Sequence, residues 1–242
     1  IKKREKKKLL MNKKFINYTN DDTISRYFKE LKKSKSLTTE EELFFMEEIK
    51  RTKEILNTYE KIAELYSSRY DLDTRDNSLL DEFIVRIGEK AKVLDLGSGT
   101  GRTSGYIKNK KPNSHILGID FSDKMLEISR KNFPSIDFQK SDILNFIAPA
   151  ESFDAVIAQS SLFHLEKDEL LVLLKKSYKM IKEGGIFGIL MQVADEYSCK
   201  LLPEPLNSEL YMYICFYSEK DLEDLLIEAG FKRILKYKKE ID

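Results

Sequence analysis

The sequence predicts an α/β fold, a doubly wound and mostly parallel sheet preceded by a helical N-terminal extension. A short apolar strand runs into a glycine-rich loop at 91–102, and strand-like segments then alternate with amphipathic helical segments. With 242 residues, 41% of them hydrophobic, the chain is long enough for one well-packed domain and an extension. Such alternation implies parallel strands joined by right-handed crossovers, with helices on both faces of the sheet.

The composition argues against several classes of function. The formal net charge is +1, so no overall field draws the protein to nucleic acid or to a membrane surface. No apolar run approaches the ~20 residues that span a bilayer. Two cysteines, Cys199 and Cys215, and two histidines, His115 and His164, lack the spacing of a metal site, and none is predicted. Few cysteines and no signal-like segment predict a reducing, cytoplasmic setting.

Residues 1–56 are predicted to be a basic tail and a helical extension. The first fourteen residues carry eight Lys or Arg side chains, which favours a solvated tail over an arm for nucleic acid or another anionic surface. Met11 could be the natural start. Helical spacing follows at 21–32, and Thr38-x-x-Glu41 predicts a capping box at the start of a further helix.

The segment DDTISRYFKELKKSKSLTTEEELFFMEEIK, residues 21–50, is similar to the DNA-contacting region 1.2 of bacterial primary sigma factors. The similarity covers about thirty residues of generic helix-and-cap chemistry, and a helical lid or dimerisation arm is the favoured alternative. If the similarity holds, the protein would be a regulatory module whose N-terminus binds nucleic acid or polymerase, with the α/β domain as its scaffold.

The remaining elements follow in order along residues 57–242. Two helices, Asn57–Asp71 and Asn77–Gly88, are predicted before the sheet. The predicted strands are Lys92–Leu96, His115–Asp120, Asp137–Lys140, Ala155–Gln159, Ile186–Met191 and Phe231–Lys238. The predicted later helices are Arg102–Lys110, Asp123–Asn132, Lys167–Ile181 and Glu219–Ala229. Ligands bind such sheets beyond the carboxyl ends of the strands, so the candidate site lies there.

The loop Asp95-Leu-Gly-Ser-Gly-Thr-Gly101 is the strongest ligand-binding signal. Gly97, Gly99 and Gly101 permit unusual backbone angles, and a loop that opens a helix offers free N–H groups, including that of Ser98. The spacing is not the Gly-x-Gly-x-x-Gly of dinucleotide folds, and the Lys-Ser/Thr of a phosphate-binding loop is missing. A glycine-rich turn without a ligand is the alternative. With the preceding acid, the loop resembles the first motif of class I S-adenosylmethionine-dependent methyltransferases.

Asp120 is the candidate ribose ligand. It ends the second predicted strand, 23 positions after Gly97, close to the ~20-residue spacing of a ribose-binding acid. A carboxylate can accept a hydrogen bond from each of two ribose hydroxyls. The alternative is an N-cap for the next helix, where Ser122 could serve instead.

The resemblance implies further contacts with the adenine ring. Asp142 would accept a hydrogen bond from the adenine amino group, and the backbone N–H of Ile143 would donate to a ring nitrogen. Met125 would lie against the ring, and Phe121 is also predicted to contact the cofactor. A turn acid at Asp142 and a core position for Met125 are the alternatives.

The residues predicted near the acceptor carry a less specific sequence signal. In small-molecule members of the family, a tyrosine-rich helix such as Asn57–Asp71 crosses over the cofactor, so Tyr66 would reach the methionine end, with surface packing as the alternative. Gln159 would line the path between cofactor and substrate. His164 could be a general base or a histidine bonded to backbone.

An aromatic run completes the resemblance, which extends from Tyr59 to about Tyr237. The segment FYSEKDLEDLLIEAGF is similar to small-molecule methyltransferases, where such a run faces the acceptor. The side chains concerned are Tyr211, Tyr213, Phe216 and Tyr217, for which core packing is an equal alternative.

The resemblance implies a Rossmann-like methyltransferase domain at 57–242 that uses S-adenosylmethionine as cofactor. Direct in-line displacement onto a small-molecule acceptor needs mainly alignment of the reacting atoms. The run Gln-Ser-Ser-Leu-Phe at 159–163 stands where nucleic-acid amino-methyltransferases carry Asn/Asp-Pro-Pro-aromatic, which argues against a base as substrate. A protein or RNA acceptor stays open. The acceptor atom, O, N or C, and the oligomeric state are not predicted.

Overall fold

The computed structural model describes residues 39–232 and 235–236, with side chains from Met46 onward. The chain divides into two compact units, residues 1–51 and 52–242. Helix α1, Thr39–Tyr70, is continuous through the predicted boundary between residues 56 and 57. The predicted helix at 21–32, residue Thr38 and most of the segment similar to sigma factors lie outside the described residues.

Five parallel strands form the central sheet, as predicted. The strands are β1 (Lys92–Leu96), β2 (His115–Asp120), β3 (Asp137–Lys140), β4 (Phe153–Gln159) and β5 (Ile181–Leu190), in the order β3-β2-β1-β4-β5. The order reverses between β1 and β4, so the carboxyl ends of these two strands flank the crevice in which such sheets bind ligands.

Helices cover both faces of the sheet. The helices are α2 (Asn77–Ile84), α3 (Arg102–Lys110), α4 (Asp123–Asn132), α5 (Lys167–Met180) and α6 (Glu219–Ala229), with a short 3-10 helix at Leu162–His164. Val93 packs into a core with α2, α3 and α4, whereas its neighbour Leu94 packs into a second core with α5 and α6. Successive strand residues point to opposite faces, so the sheet is doubly wound, as predicted.

Strand β5 begins earlier than predicted. Ile181 follows α5 directly and pairs with Phe153, and the register then shifts before Ala155 pairs with Ile186. Gly184, with φ of 76°, lies within the shifted segment and takes a backbone conformation that disfavours other residues. Because the register shifts at this point, the residues at the start of β5 do not show the pattern of a regular strand.

An antiparallel hairpin, which the sequence did not predict, follows the central sheet. Its strands are β6 (Ser198–Glu204) and β7 (Asn207–Phe216), and Cys199 lies directly opposite Cys215. A disulfide joins these two cysteines, so the reducing setting inferred from the cysteine content is not supported at this pair. The cytoplasmic location remains a prediction. In the part of the chain that the structure describes, no helix is long and apolar enough to cross a membrane.

The predicted strand at Phe231–Lys238 is wrong in the part that can be followed. Gly230, with φ of 111°, ends α6, and Phe231 then turns inward against the rings of Tyr178 and Phe187. Residues 231–232 and 235–236 are not in a strand. The rest of that segment lies outside the described residues.

Candidate active site

The glycine loop leaves β1 at the carboxyl edge of the sheet and wraps over the end of β2. The backbone N–H groups of Gly97 and Ser98 both donate to the Ile119 carbonyl at 2.9 Å. Gly97, Gly99 and Gly101 have φ of 72°, 53° and 85°, in the left-handed region that favours glycine. The three glycines therefore give the loop its shape.

Only one of these glycines borders open space. A Cβ at Gly97 would lie 2.5 Å from that of Ser161, and one at Gly101 would lie 2.9 Å from a neighbouring phenylalanine ring. A Cβ at Gly99 would meet nothing within 4 Å. The chain itself packs against the first and third glycines, whereas the backbone at Gly99 is bare to a ligand.

Gly99→Ala tests this cradle. We expect a stability loss of about 1 kcal/mol from the positive φ, together with a loss of at least about tenfold in affinity for S-adenosylhomocysteine, because the methyl group occupies the ligand's space. Calorimetric titration and urea unfolding measure the two effects. Gly88→Ala, which also meets nothing within 4 Å, is the matched control and should leave affinity unchanged. Equal affinity for the Gly99 variant and the wild type would show that the cofactor does not lie against the Gly99 backbone.

Asp120 is buried at the end of β2 and accepts two backbone hydrogen bonds. The Gly99 N–H donates to its Oδ2 and the Ser122 N–H to its Oδ1, each at 2.9 Å. Burial raises the pKa of Asp120 to about 6. Ser122 is the N-cap of α4 and accepts from the Met125 N–H, so helix capping is not left to Asp120.

Asp95 lies beneath the loop, 1% exposed, in the centre of the sheet. The Ser104 hydroxyl donates to its carboxylate at 2.7 Å. Burial raises its pKa to about 6, partly offset by that hydrogen bond. A carboxyl group is therefore held, at a desolvation cost, where the glycine loop begins.

Removing the Asp95 charge is expected to stabilise the cofactor-free protein at neutral pH. A folded-state pKa of about 6 against 3.8 means that the folded state binds the proton more tightly, so stability is lost as pH rises from about 4 to 6. The full loss is at most about 3 kcal/mol. Asp95→Asn should recover part of it at pH 8 and little at pH 4, measured by urea unfolding. A variant that is less stable than the wild type at pH 8 would contradict this reasoning.

Residues 71–76, here called the strap, connect α1 to α2 and lie on the glycine loop. The Thr100 hydroxyl donates to the Asp71 carboxylate, and the Arg102 guanidinium donates to the Asp73 carbonyl at 2.8 Å. Gln159 Nε2 donates to Asp76 Oδ2 at 2.9 Å. The strap is not predicted from the sequence, where it appears only as an acid-rich segment that follows a helix.

Gln159 links helix α3 to the strap. Its Oε1 accepts from the Thr103 hydroxyl at 2.5 Å while its Nε2 reaches the strap. The side chain is buried at the carboxyl end of β4. Both ends of the amide are thus engaged within the protein, next to the glycine loop.

Helix α1 brings aromatic rings over the ends of β1 and β2. The Tyr59 ring lies 6.2 Å from that of Phe121 and 6.4 Å from that of Tyr66, both edge to face. Met125 is buried against Ala63 of α1, with Tyr59 and Tyr66 beside it. Burial raises the pKa of Tyr66 to about 12. The predicted residues Tyr66, Phe121 and Met125 are therefore brought together.

His164 joins this aromatic wall to the hairpin. Its Nε2 lies 2.8 Å from the Tyr59 hydroxyl oxygen, and its Nδ1 lies 2.9 Å from the Tyr213 carbonyl oxygen. A carbonyl can only accept, so the proton is assigned to Nδ1 and the neutral ring accepts from Tyr59 through Nε2. Burial, with the charges of Tyr66, Asp120 and Glu204, raises the pKa of Tyr59 well above its ordinary value.

Asp142 and Ile143 follow β3 and lie at the same edge. The Ser141 N–H donates to the Asp120 carbonyl at 2.9 Å, which ties this turn to the end of β2. Asp142 Oδ1 accepts from the Leu144 N–H at 2.7 Å, and burial raises the pKa of Asp142. Ile143 is half-buried against the larger core. The topology thus gathers the residues predicted on three separate strands.

The aromatic residues expected to face an acceptor separate into different places. Tyr217 is fully buried, and its hydroxyl donates to the Leu165 carbonyl at 2.5 Å, so its assignment to a pocket is wrong. Tyr211 is 52% exposed. Tyr213 holds His164 through its carbonyl, and Phe216 is half-buried at the end of β7.

Comparison with known proteins places the chain among methyltransferases. The family described as "Methyltransferase domain" matches residues 93–185. The chain is similar to class I S-adenosylmethionine-dependent methyltransferases, and the matches support that activity. It is 28% identical to the phosphoethanolamine N-methyltransferase of Plasmodium falciparum over 79% of this chain and 71% of that one. It is 34% identical to the demethylmenaquinone methyltransferase of Thermotoga maritima over 44% of this chain and about half, 48%, of the relative.

The fold of this methyltransferase is shared with solved structures. The DhpI–SAM–HEP complex aligns with a TM-score of 0.58 and 18% identity, over 74% of this chain and 89% of that one. This likeness shows the fold, and the methyltransferase matches support S-adenosylmethionine as the cofactor.

The residues at the carboxyl edge fit that cofactor. Gly99 leaves open space at the backbone, and the buried Asp120 carboxylate retains acceptor capacity beyond its two N–H bonds. The buried Ser98 hydroxyl of the same loop has no hydrogen-bond partner within the residues that the structure covers. Each feature has a use if a polar ligand binds across the loop.

Proposed function

We propose that this methyltransferase methylates the nitrogen of a small amine and that the Tyr59–His164 pair accepts the proton that the nitrogen loses. The observation that carries the proposal is the hydrogen-bonded chain from the Tyr59 hydroxyl through the His164 ring to the Tyr213 carbonyl. It runs beside the aromatic side chains Tyr59, Tyr66 and Phe121, which pack together where β2 ends.

S-adenosylmethionine supplies a methyl group that its sulfonium already makes electrophilic. We assign Asp120 to the ribose hydroxyls, Asp142 and the Ile143 N–H to adenine, and the backbone at 97–101, with Asp95, to the methionine end. Phe121, Met125 and Tyr66 would pack around the bound group. The support is that these residues share one edge of the sheet, where the strap bonds to the glycine loop and α1 packs against Met125.

The pair can move a proton without a free phenolate. A raised pKa keeps the proton on Tyr59, so Tyr59 can pass that proton to Nε2 while it takes the one released by the acceptor nitrogen. The imidazolium that forms is stabilised by the Tyr213 carbonyl at Nδ1. A histidine whose second nitrogen is oriented by a backbone carbonyl is suited to general-base catalysis.

The charges around the Tyr59 hydroxyl favour an amine group at that position. Asp120 and Glu204 act on the Tyr59 hydroxyl with negative charge, and an aromatic ring attracts a cation that lies over its face. The Plasmodium falciparum relative is named for the methylation of phosphoethanolamine, an amine. The relative from Thermotoga maritima is named for a quinone acceptor, and the two names define the contrast to test.

The test measures S-adenosylhomocysteine formation from methyl-labelled donor with ethanolamine, phosphoethanolamine and demethylmenaquinone. Transfer to either amine, with the label recovered on nitrogen, is the expected result. A turnover with demethylmenaquinone that exceeds both amines at least tenfold would overturn the amine assignment.

The N-terminal unit remains a separate proposal. We keep residues 1–56 as an extension to a catalytic domain at 57–242, with a small molecule as the partner. Nothing in the comparisons supports the alternative in which the N-terminus binds nucleic acid or polymerase. Salt-sensitive binding of DNA by residues 11–56 alone would revive it.

A further inference from the structure

Strand β7 and Tyr217, the residue directly after it, hold the loop that carries His164 at three points. The Tyr213 carbonyl accepts from His164 Nδ1, and the Tyr213 hydroxyl donates to Glu166 Oε1 at 2.9 Å. The Tyr217 hydroxyl donates to the Leu165 carbonyl at 2.5 Å. Any movement of β7 therefore moves the acceptor of the His164 proton.

The disulfide lies in the middle of these three contacts. Cys215 is two residues from both Tyr213 and Tyr217, and it is bonded to Cys199 directly across the hairpin. In the part of the chain that the structure covers, β7 forms a sheet only with β6. A two-stranded sheet is marginally stable by itself, so β7 is kept in place by the packing of Cys215 in the larger core together with the covalent bond.

A reductant can reach the bond from one side. Cys199 is half-buried, whereas Cys215 is 1% exposed. The Tyr197 hydroxyl lies 3.1 Å from Cys199 Sγ, and the Lys167 ammonium lies 4.2 Å from the centre of the Tyr197 ring. Accessibility therefore makes Cys199 Sγ the sulfur that a reductant attacks, and the hydroxyl donor and nearby cation stabilise the Cys199 thiolate when the second thiol of the reductant displaces it.

We propose that the Cys199–Cys215 disulfide is a redox-sensitive clasp that positions His164 through the Tyr213 carbonyl. A dithiol attacks Cys199 Sγ, and Cys215 leaves as a thiolate that takes a proton. The second thiol of the reductant then displaces Cys199, so the dithiol ends as a cyclic disulfide and two electrons and two protons reach the protein. Without the covalent bond to β6, β7 no longer fixes the Nδ1–H tautomer of His164. The expected effect on turnover rests on the proposed function, whereas the expected change in the His164 imidazole does not.

The two histidines of the chain make the ring directly observable. In full-length protein labelled with ¹⁵N-histidine, only His115 and His164 give signals, and His115, exposed at the start of β2, is the internal reference. Reduction with dithiothreitol should change the ¹⁵N shifts and tautomer of His164 and leave His115 unchanged. The kcat should fall about tenfold or more, while the Kd for S-adenosylhomocysteine stays within about twofold.

The double variant Cys199→Ser/Cys215→Ser separates the loss of the disulfide from any other effect of dithiothreitol. It should show the reduced His164 spectrum in oxidising buffer, fold as judged by cofactor binding, and not respond to dithiothreitol. Mass spectrometry after alkylation confirms the state of the cysteines. The clasp is overturned if the His164 signals are the same in both states, if the two cysteines do not pair in air-oxidised protein, or if cofactor binding is lost together with turnover.

The outcomes separate the clasp from the proposed function. If reduction changes the His164 tautomer while kcat stays constant, the clasp stands and the general-base role of His164 fails. If His164→Asn abolishes turnover while reduction leaves the His164 spectrum unchanged, the proposed function stands and the clasp fails.

Discussion

We expect His164→Asn to lower kcat by about 10² to 10⁴-fold, the range of general acid–base catalysis, with little change in affinity for S-adenosylhomocysteine. The Asn amide nitrogen can still donate to the Tyr213 carbonyl in place of Nδ1, so the link to β7 is retained. The atom that is lost is Nε2, which accepts from Tyr59 at 2.8 Å. Removing the base while keeping the position isolates the chemical role.

Tyr59→Phe removes the other half of the pair and keeps the ring. The edge-to-face contacts with Phe121 and Tyr66 are preserved, so packing should change little. We expect kcat to fall about 10²-fold and the double variant to be no slower than His164→Asn, because residues that act as one unit are not additive. Steady-state kinetics with the best amine acceptor measures all three.

The other histidine supplies the control. His115 begins β2 at the opposite edge of the sheet and is exposed, so His115→Asn should leave kcat within about twofold. If His164→Asn loses the same factor in cofactor affinity as in kcat, the side chain is part of the binding wall and the proton has another acceptor.

The parallel sheet and its order of elements could be predicted because their signals are local. Strands β1, β2 and β4 are short and mostly apolar runs, and helices α4 and α6 each begin at a serine N-cap. Asp120 could be predicted for the same reason, since strand ends at one edge of a parallel sheet must meet there.

The strap and the hairpin could not be predicted in this way. The bond from Thr100 to Asp71 joins residues 29 positions apart, and nothing in either residue type indicates the partner. The group that orients His164 is the backbone carbonyl of Tyr213, and every residue has one. Cys199 and Cys215, 16 positions apart, become opposite only through the register of a hairpin that has no glycine turn signal.

The largest expected effect on cofactor binding comes from Asp120. Asp120→Ala should raise the Kd for S-adenosylhomocysteine by about 10² to 10⁴-fold, because two charge-assisted hydrogen bonds of about 1.5–3 kcal/mol each are lost. The Gly99 and Ser122 N–H groups also lose their acceptor, which loosens the loop. Asp120→Asn separates these effects, since it retains one acceptor oxygen without the charge.

The pH dependence identifies the carboxylate as the group responsible. With a pKa raised to about 6 by burial, Asp120 takes up a proton in the free protein as pH falls through that value, and this group by itself should then lower the affinity by up to about tenfold per pH unit. Asp95 has a pKa of about 6 as well, so Asp120→Asn should remove one proton from the slope and leave the other. Asp137→Asn, an exposed acid at the opposite end of β3, should change neither the affinity nor its slope. A wild-type slope retained in full by Asp120→Asn would assign the ribose to another residue, because only a group in direct contact with the ligand couples its proton to binding so strongly.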